Sequence, residues 1–597
     1  MFSQQNSNKL SIFSEQVLKD LNSLLDNVTP PDSKVIVFLE KNIYLALDRI
    51  NILANAAIGR KNLVGFFRFQ ENVDCLFAHH VIYFLNPDVE KLRTFVVHLL
   101  SYTHHFPKAV PQVYFVPQKP LMIEKIIESD FKLNETFSEL KIGEFDFDMI
   151  SLAEDLFSME QPLIFKHLFL DGDTTSLKWI ARLLLKLQSS QFGAIPMIRG
   201  KGRNAARVVN ILKRLQDEVG RDFLSNTPSE VEALYIVDRT LDLVSPLMTQ
   251  LTYEGLIDEF YGISCSEVTF PFSLNESAPI GGTSSQTEVL DSFDKVFSEI
   301  RDKNFIKVGS ILYQKSVWVK NHYERRKEVR QLKDLKEFMK GLPEMQDYHR
   351  MISQHTVITS EIGKITQGLE FRKKIQIEQC IVQQMNDKEV FEFIEDMVYR
   401  KDPFSHILRL LSLYSIVNGG LKSKEYDFFK ESLMLSYGIP QVMNAFIIME
   451  SCGFLTKYEG KTSYPLLRKQ FRTWNASLKE QQPDDIAYAY SGYASLLVRL
   501  LEKLLLSNHS ESAIDNIMNL LPGEKSEIRN TVEVVGDSRA IMFFVIGGLT
   551  SAELSSLRFI QTQMANAGKY RRIIVAVTDV CSGKRLLSSI IPFDLDV

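Results

Sequence analysis

The chain has few cysteines, and they do not form a recognisable pattern. Its 597 residues contain five, which lie far apart and never form a C-x-x-C pair: Cys75, Cys265, Cys380, Cys452 and Cys581. An odd number of widely spaced cysteines argues against both a disulfide framework and a structural zinc site. We therefore expect a protein of a reducing, cytoplasmic compartment.

Long apolar runs and a strong net charge are also missing. No stretch approaches the ~20 consecutive apolar residues of a membrane-spanning helix, and the N-terminal residues lack the order of a secretion signal. The formal net charge is −5, so no global electrostatic attraction to nucleic acid or anionic lipid is expected. We predict a protein without a nucleic-acid partner that contacts membranes only peripherally.

Signatures of catalysis are absent as well. No G-x-S-x-G turn, H-E-x-x-H helix or Walker loop occurs. The pairs His79-His80 and His104-His105 fit surface or helix-end positions better than a shared metal, because neighbouring side chains on a strand point to opposite faces. The segment 200–203, Gly-Lys-Gly-Arg, is either a basic turn or a weak phosphate site. A non-enzymatic protein without cofactor or metal is therefore the leading class.

Alternating strand and helix patterns at the N terminus predict an open α/β domain. Short β-branched or aromatic runs at 35–39, 81–85 and 113–116 are separated by segments with helical spacing, such as 88–103. This order is typical of a parallel sheet with helices on both faces. We assign residues 1–145 to this first domain, which ends at a turn-rich patch near Lys141.

The pattern then changes twice. A second α/β region begins with a strand at 234–238, strand runs nearly vanish from about 252 to 505, and strand patterns return at 541–577. A two-strand fragment alone is marginally stable, so the strands on either side of the gap are expected to share one sheet. We predict α/β domains plus an all-α insertion, with these boundaries: 146–250 together with 506–597 as the second, discontinuous domain, 251–370 as a helical part with a projecting hairpin, and 371–505 as a second helical part.

The segment 234–259 combines a strand end with two helix starts. Its apolar run ends on Asp238-Arg239, which we expect to meet solvent at the carboxyl end of a parallel strand. Ser245, followed by proline, is predicted as one helix N-cap and Thr252 as another.

A second segment, 545–558, has the order strand, glycine turn, helix. Thr550 and Glu553 have the spacing of a capping box, in which each side chain accepts a hydrogen bond from the other residue's backbone N–H. The preceding Gly547-Gly548 turn is a candidate phosphate cradle, but the lysine or third glycine of known phosphate loops is missing. The structural interpretation is favoured.

Two surface candidates lie in the helical region. Residues 320–338 are rich in lysine and arginine, which fits either a solvated helix face or a hairpin that docks another helix. Residues 437–442 place a turn before a helix, where apolar side chains form either an exposed spot for a helical-solenoid partner or ordinary packing at a helix start.

The segments 234–259 and 545–558 resemble the two signatures of the SM family, the Sec/Munc-type chaperones of SNARE-driven membrane fusion. LFSME at 156–160 and YSGY at 490–493 are similar to the class C vacuolar protein sorting branch of that family, and LRKQFRTW at 467–474 resembles its A form. The resemblance covers about 145–597. It implies an arch-shaped fold with two parallel-sheet α/β domains and a large inserted helical domain. It also implies a protein that catalyses no reaction.

The resemblance also implies a function and its partners. Such proteins bind SNAREs of the Qa and R types and template their assembly in vesicle tethering and fusion at late endosomes and lysosomes or the vacuole. The implied partners besides SNAREs are a Vps sixteen-type subunit and other subunits of HOPS or CORVET tethers. The expected SNARE-binding residues, on a helical hairpin within 287–345, are Lys320, Tyr323, Arg325, Arg326 and Arg330. The expected tether-binding residues are Tyr437, Ile439 and Val442.

Two competing functions stay open. One is a nucleotide-binding or hydrolytic α/β enzyme with its substrate near Asp238 and Gly547-Gly548, at the carboxyl ends of the strands. The other is a passive helical scaffold without preference for SNARE motifs.

Overall fold

The computed structural model describes most of the chain in two compact units. The described residues are 15–27, 33–69, 77–131, 133, 140–220, 229–274, 285–325, 332–460, 462–479, 482–507, 510–532 and 540–591. Unit one comprises Met1–Glu160 and Thr175–Gln191, and unit two comprises Gln161–Thr174 and Phe192–Val597. The domain boundaries predicted from the sequence divide the chain more finely and stay a prediction.

Helices and strands alternate at both ends of the chain, and helices dominate its middle. The strands are β1 (Val35–Leu39), β2 (Leu63–Arg68), β3 (His80–Leu85), β4 (Val110–Phe115), β5 (Lys141–Glu144), β6 (Ile150–Ala153), β7 (Leu156–Ser158), β8 (Met197–Lys201), β9 (Val231–Asp238), β10 (Glu267–Phe270), β11 (Gln286–Val289), β12 (Lys525–Arg529), β13 (Ala540–Ile546) and β14 (Arg572–Val577). The helices are α1 (15–27), α2 (Lys41–Arg49), α3 (Ile52–Ala57), α4 (Val89–His105), α5 (Leu121–Ser129), α6 (Ile164–Phe169), α7 (Thr175–Leu187), α8 (Arg203–Val219), α9 (Val244–Leu247), α10 (Tyr253–Phe260), α11 (Lys295–Ile300), α12 (Phe305–Arg325), α13 (Leu332–Thr366), α14 (Leu369–Gln383), α15 (Asp387–Arg400), α16 (Phe404–Asn418), α17 (Ser423–Tyr437), α18 (Ile439–Ser451), α19 (Tyr464–Phe471), α20 (Leu496–Leu506), α21 (Glu511–Asn519), α22 (Ser551–Asn566) and α23 (Gly583–Ile590).

Unit one contains the predicted parallel sheet. Its strands run in the order β2-β1-β3-β4-β5, and each neighbouring pair is parallel. Every residue of β1 is buried, which is expected for a strand covered on both faces and explains its continuous apolar run. The core includes a buried histidine, His98 of α4, whose Nδ1 lies 3.0 Å from the hydroxyl of Tyr83.

The edge strands of this sheet were missed in the sequence. The patch near Lys141 is not a turn but strand β5, which pairs with β4 from Lys141 to Glu144. Strand β2 forms the opposite edge. Both strands are partly exposed, so their residues lack the apolar run that identifies the central strands. Unit one also contains β6 and β7, which pair with each other in antiparallel orientation.

The sheet of unit two joins segments from opposite ends of the sequence. Its strands β12, β8, β9, β13 and β14 are neighbours in that order. The pairs β8–β9, β9–β13 and β13–β14 are parallel, whereas β12 is antiparallel to β8. Leu234 pairs with Met542 and Asp238 with Ile546, so the condition set by the insertion hypothesis, a sheet shared by these strands, is met.

The region between β9 and β12 is mainly helical, as predicted. One antiparallel strand pair interrupts it, because β10 and β11 form a short two-stranded sheet that the sequence did not indicate. A large apolar core of this region is built mainly on α14 to α18. Among the described residues, none of the helices combines the length and the apolar character that a membrane span requires.

Candidate functional site

A buried ion pair joins the two segments singled out in the sequence. Arg239, which follows β9, donates two hydrogen bonds to Glu553 of α22, from Nη1 to Oε2 at 2.8 Å and from Nη2 to Oε1 at 3.0 Å. Both side chains are fully buried. Burial alone would lower the pKa of Arg239, but the carboxylates of Glu553 and Asp242 outweigh burial and raise it. The expectation that Arg239 meets solvent is therefore wrong.

Glu553 also closes the capping box predicted from the sequence. The backbone N–H of Thr550 donates to Glu553 Oε2 at 2.9 Å, and the backbone N–H of Glu553 donates to Thr550 Oγ1 at 3.1 Å. The phenol of Tyr490 lies 2.6 Å from the same threonine hydroxyl. The capping box is confirmed, and it places the carboxylate at the helix N-terminus where a phosphate would otherwise bind.

Asp242 brings a third segment into this network. Its Oδ2 accepts hydrogen bonds from the backbone N–H of Leu496 at 2.8 Å and from the hydroxyl of Ser495 at 3.1 Å. Its Oδ1 accepts from the backbone N–H of Ser245 at 3.0 Å. The residue that caps the start of α9 is thus Asp242, and the predicted Ser245 N-cap is wrong, because α9 begins at Val244. The predicted Thr252 cap of α10 is confirmed by its hydrogen bond from the backbone N–H of Gly255.

Asp238 is also buried rather than solvent-exposed. Its carboxylate accepts hydrogen bonds from the backbone N–H groups of Asn204 and Ala205, both at 2.8 Å, at the start of α8. Gly202 has a φ of 105°, and a Cβ there would lie 2.5 Å from Asp238 Oδ2. Burial raises the pKa of Asp238 to about 6, although the two hydrogen bonds favour the charged form. The candidate phosphate position at 200–203 is therefore filled by a carboxylate of the protein.

The second candidate substrate position, at Gly547-Gly548, offers little space. Gly547 has a φ of 97°, and a Cβ there would lie 2.8 Å from the Cβ of Arg239. The adjoining cavity, lined in part by Phe165 and Thr578, has a volume of about 10 Å³. A cavity of this size holds no more than one water molecule. Within the described residues, no group of three or more His, Cys, Asp or Glu side chains is placed to hold a metal ion.

The helices α12 and α13 pack against each other, and α12 has three distinct sides. One side is buried in the core through Val308, Leu312 and Val319. The side opposite to the core is exposed and carries residues at alternating intervals of four and three: Ile306, Ser310, Tyr313, Val317 and Lys320. At 3.6 residues per turn these positions form one narrow stripe, which we call the α12 seam. Tyr313 is 71% exposed and Ile306 is 57% exposed, so apolar side chains of the seam face solvent.

A groove between α12 and α13 forms the third side. It has a volume of about 820 Å³ and is lined by residues that include Ile311, Trp318 and Met345. The Trp318 ring meets the ring of Tyr348 edge-on, with centroids 5.9 Å apart. Lys315 donates a hydrogen bond to the Tyr348 hydroxyl at 2.8 Å, which fixes the aromatic wall of the groove. An exposed tryptophan beside a groove is typical of a protein-binding surface.

Three of the predicted SNARE-binding residues, Lys320, Tyr323 and Arg325, lie in the carboxyl-terminal part of α12. Lys320 is exposed and belongs to the α12 seam. Tyr323 and Arg325 lie in the last turn of α12, where the backbone alone is described. Arg326 and Arg330 lie outside the described residues. The predicted set consists of basic residues and Tyr323. It missed Ile306, Tyr313 and Val317, although their spacing of seven and four residues is visible in the sequence.

The predicted tether-binding residues do not form one exposed spot. Ile439, at the start of α18, is 63% exposed, whereas Val442 is completely buried and packs in the helical core. For Val442 the interpretation as an exposed residue is wrong, and the alternative, packing at a helix start, holds. Tyr437 is half-buried: its ring stacks on Phe404, and its hydroxyl donates to the backbone carbonyl of Asp402. Leu435, the most exposed apolar residue nearby, was not considered.

The chain is similar to known proteins over almost its full length. The model of the Sec1 family matches residues 34–589. Vacuolar protein sorting-associated protein 33A of Rattus norvegicus is 32% identical over 598 residues, and the match covers 97% of each chain. The vacuolar protein-sorting-associated protein 33 homolog of Arabidopsis thaliana is 32% identical over 85% of this chain and 86% of the relative.

A solved structure shows the same fold. The SM protein Vps45, determined in complex with the Qa SNARE Tlg2, superposes with a TM-score of 0.58 at 17% identity over 97% of both chains. This likeness and the parallel strand pairs of both units confirm the predicted fold class, a mixed α/β fold of the SM type, although β10 and β11 interrupt the region that was predicted as all-α. The family resemblance inferred from 234–259 and 545–558 is confirmed as well, and the chain belongs to the Sec1 family, the SM family of the sequence analysis.

Proposed function

We propose that this chain is a SNARE-binding chaperone that promotes SNARE assembly in vesicle tethering and fusion at late endosomes and lysosomes or the vacuole. In this proposal it acts as the SM subunit of a HOPS- or CORVET-type tether, in the cytoplasm and peripherally on those membranes. The α12 seam is the observation that carries the proposal. Membership of the Sec1 family and similarity to vacuolar protein sorting-associated proteins support it.

The α12 seam matches the chemistry of a SNARE motif. SNARE helices zipper through apolar residues that recur every 3.5 positions, and the seam repeats at the same interval with exposed Ile306, Tyr313 and Val317. Burying such a side chain against a partner helix contributes about 1.5–3 kcal/mol. A partner helix that lies along α12 is therefore held in one register. Two SNARE helices bound side by side would then nucleate their bundle at a lower entropic cost.

Basic residues at the end of α12 supply the electrostatic part of the proposal. Lys320 is exposed on the seam, and Arg325 follows in the last turn of the helix. Positive charge beside an apolar seam attracts a helix with acidic flanks and raises its association rate. We expect charge reversal at Arg325 and Arg326 to weaken SNARE binding while the fold stays intact.

Binding of purified SNARE motifs tests the seam directly. We would measure fluorescence anisotropy of labelled Qa and R motifs titrated with the full chain and with a Tyr313→Asp variant. The matched control is Tyr399→Asp on α15, because Tyr399 is also 71% exposed but lies away from α12. We expect at least about tenfold weaker binding for Tyr313→Asp, since an acidic side chain would be buried against the partner. The control variant should bind with the same affinity as wild type. Equal affinity for wild type and Tyr313→Asp would contradict the proposed surface.

We propose that the tether subunit binds at the connection between α17 and α18. Ile439 and the half-buried Tyr437 lie there, and the exposed Leu435 extends the apolar area. A helical-solenoid protein such as the Vps sixteen-type subunit presents helix faces that fit an apolar surface of this kind. Co-purification with that subunit should be lost on Ile439→Asp and kept on Ile447→Asp, which replaces a similarly exposed isoleucine on α18.

The proposal includes the absence of catalysis. The positions that an α/β enzyme would use are filled by side chains of the protein. The carboxylate of Asp238 lies at the start of α8, and Arg239 pairs with Glu553 beside Gly547. ATP or GTP with Mg²⁺ should leave the melting temperature unchanged. A rise in melting temperature with either nucleotide would favour the enzyme instead.

A further inference from the structure

A second groove lies in unit two, between α19 and α20. Its volume is about 1120 Å³, and it is open to solvent along one side. Seven charged side chains line it, five of them basic: Arg468, Lys469, Arg472, Arg499 and Lys503, with Asp485 and Glu502 as the two acids. Five positive charges against two negative ones leave a local net charge of +3, whereas the whole chain has a net charge of −5.

Arg499 forms hydrogen bonds with both acidic side chains of the groove. Arg499 Nη2 donates to the two carboxylate oxygens of Asp485 at 2.7 and 2.6 Å, and its Nη1 donates to Glu502 at 2.7 Å. A second arginine, Arg468, donates to the backbone carbonyl of Gln383 at 2.9 Å, at the end of α14. These two guanidinium groups therefore have structural roles. Asp485 and Glu502 both hydrogen-bond with Arg499 rather than with the other basic residues of the groove.

Three cations remain without an acidic partner. Lys469 and Arg472 are exposed, and within the described residues no carboxylate forms an ion pair with either of them or with Lys503. Lys503 Nζ donates to the backbone carbonyl of Gln470 at 2.7 Å and lies 4.9 Å from the centre of the Phe471 ring. Burial lowers the pKa of Lys503, the positive charges of Arg472 and Arg499 lower it further, and the carboxylate of Glu502 offsets part of this decrease. Positive charge is thus concentrated here at an energetic cost.

The groove also offers apolar and polar contacts. The half-buried Trp474 lines it, and Leu506 is 58% exposed at the end of α20. The Nε of Arg499 and the Oε1 of Gln470 are buried without a hydrogen-bond partner in the described structure. Buried polar atoms normally have partners, so these atoms mark a surface whose hydrogen bonds are incomplete.

We propose that this groove binds an acidic protein segment that carries an apolar side chain. Carboxylates spaced along the segment would lie against Lys469, Arg472 and Lys503, and its apolar side chain would lie against Trp474 and Leu506. The volume and mixed lining of the groove fit a peptide better than a single phosphate group. A phosphate site uses convergent arginines, and two of the three arginines here are already engaged.

Selection from a random peptide library displayed on phage tests this inference. The bait is the full chain, and the counter-bait is the Lys469→Glu, Arg472→Glu double variant, whose exposed positions leave the core untouched. The matched control is Lys388→Glu, Lys424→Glu, which makes the same change of charge at exposed positions of α15 and α17. Circular dichroism melts establish that all three proteins are folded.

We expect wild type and control to enrich peptides that combine Asp or Glu with an aromatic or aliphatic residue. An enriched peptide, synthesised with a fluorescent label, should bind the double variant at least about tenfold more weakly and should lose affinity as salt rises. Absence of enrichment, or equal affinity for the double variant, overturns the proposal. Vesicles that contain phosphatidylinositol phosphates form a separate arm: binding of vesicles without binding of acidic peptides also overturns it and identifies a membrane contact.

The variants of the two surfaces distinguish peptide binding in this groove from SNARE binding on the α12 seam. The seam variant Tyr313→Asp should bind the enriched peptide like wild type, and the double variant should bind SNARE motifs like wild type. A shared loss in both assays would show that the two surfaces are not separate.

Discussion

The network around Arg239 buries charged side chains, whereas the α12 seam exposes apolar side chains to solvent. Arg239 and Glu553 are charged residues removed from water, and each hydrogen-bonds with the other. Ile306 and Tyr313 are large side chains left in water without a partner. A buried charge that has lost its counter-charge destabilises the fold, whereas an exposed apolar side chain costs little until a partner covers it. We therefore expect the first region to contribute to the fold and the second, as proposed, to binding.

The largest effect is expected in the buried network. Glu553→Ala leaves Arg239 charged in the core without its hydrogen-bonded partner and with only Asp242, 3.4 Å away, as a counter-charge. We expect a loss of about 3–5 kcal/mol in the free energy of unfolding. Glu431→Ala, at an exposed position of α17, is the control and should change stability by less than about 0.5 kcal/mol. Urea denaturation measures both. Similar midpoints for the two variants would mean that the buried pair does not stabilise the fold.

A comparable loss is expected at Val442, where burial and exposure alternate within one helix turn. Val442→Asp places a carboxylate in the helical core and should destabilise the protein by about 3 kcal/mol or more. Ile439→Asp, three residues earlier and exposed, should leave the urea midpoint unchanged and affect only co-purification with the tether subunit. If Val442→Asp stays as stable as wild type, the packing described for the start of α18 is wrong.

A pH-dependent effect is expected at His98 in unit one. Burial lowers its pKa from 6.5 to about 4, so the unfolded chain binds a proton between these values that the folded chain does not bind. Stability should therefore fall as the pH is lowered from 6.5 to 4, by roughly 3.5 kcal/mol at most at 1.4 kcal/mol per pKa unit.

Hydrogen exchange of peptides that contain β3 reports this loss locally. His98→Leu should make the protection of β3 less dependent on pH over that window, and His349→Leu, at an exposed position of α13, should not. An unchanged pH dependence in His98→Leu would show that other groups cause it.

The smallest effect is expected on the exposed basic part of the seam. Lys320→Glu should weaken binding of a SNARE motif by about 0.2–1 kcal/mol, because exposed charges are screened by water and salt. The effect should shrink between low and physiological salt in anisotropy titrations. An effect of Lys320→Glu larger than that of Tyr313→Asp would reverse our view that the apolar residues of the seam dominate.

Much of the fold was accessible from the sequence where burial was two-sided. β1, β3 and β13 are continuous apolar runs because helices or strands cover both of their faces, and such runs are visible without a structure. The edge strands β2 and β5 were missed, since half-exposed strands retain polar residues. The candidate surfaces were predicted less well. Lysine and arginine residues indicated the end of α12 as a candidate surface. The exposure of Tyr313 and the burial of Val442 could not be predicted, because they depend on neighbouring helices.

The sequence by itself determined the central strands, the alternation of α/β and helical regions, the capping box of Thr550 and Glu553, and the family, because these depend on residues close together in the chain. Only the tertiary structure decided that Arg239 and Asp238 are buried. Asp238 ends β9 and Arg239 follows it, at a strand end that in isolation would meet solvent. Asp238 is covered by the start of α8, about 34 residues earlier, and Arg239 by α22, more than 300 residues later. Burial depends on what packs against a residue, so it is not encoded by the residues beside it.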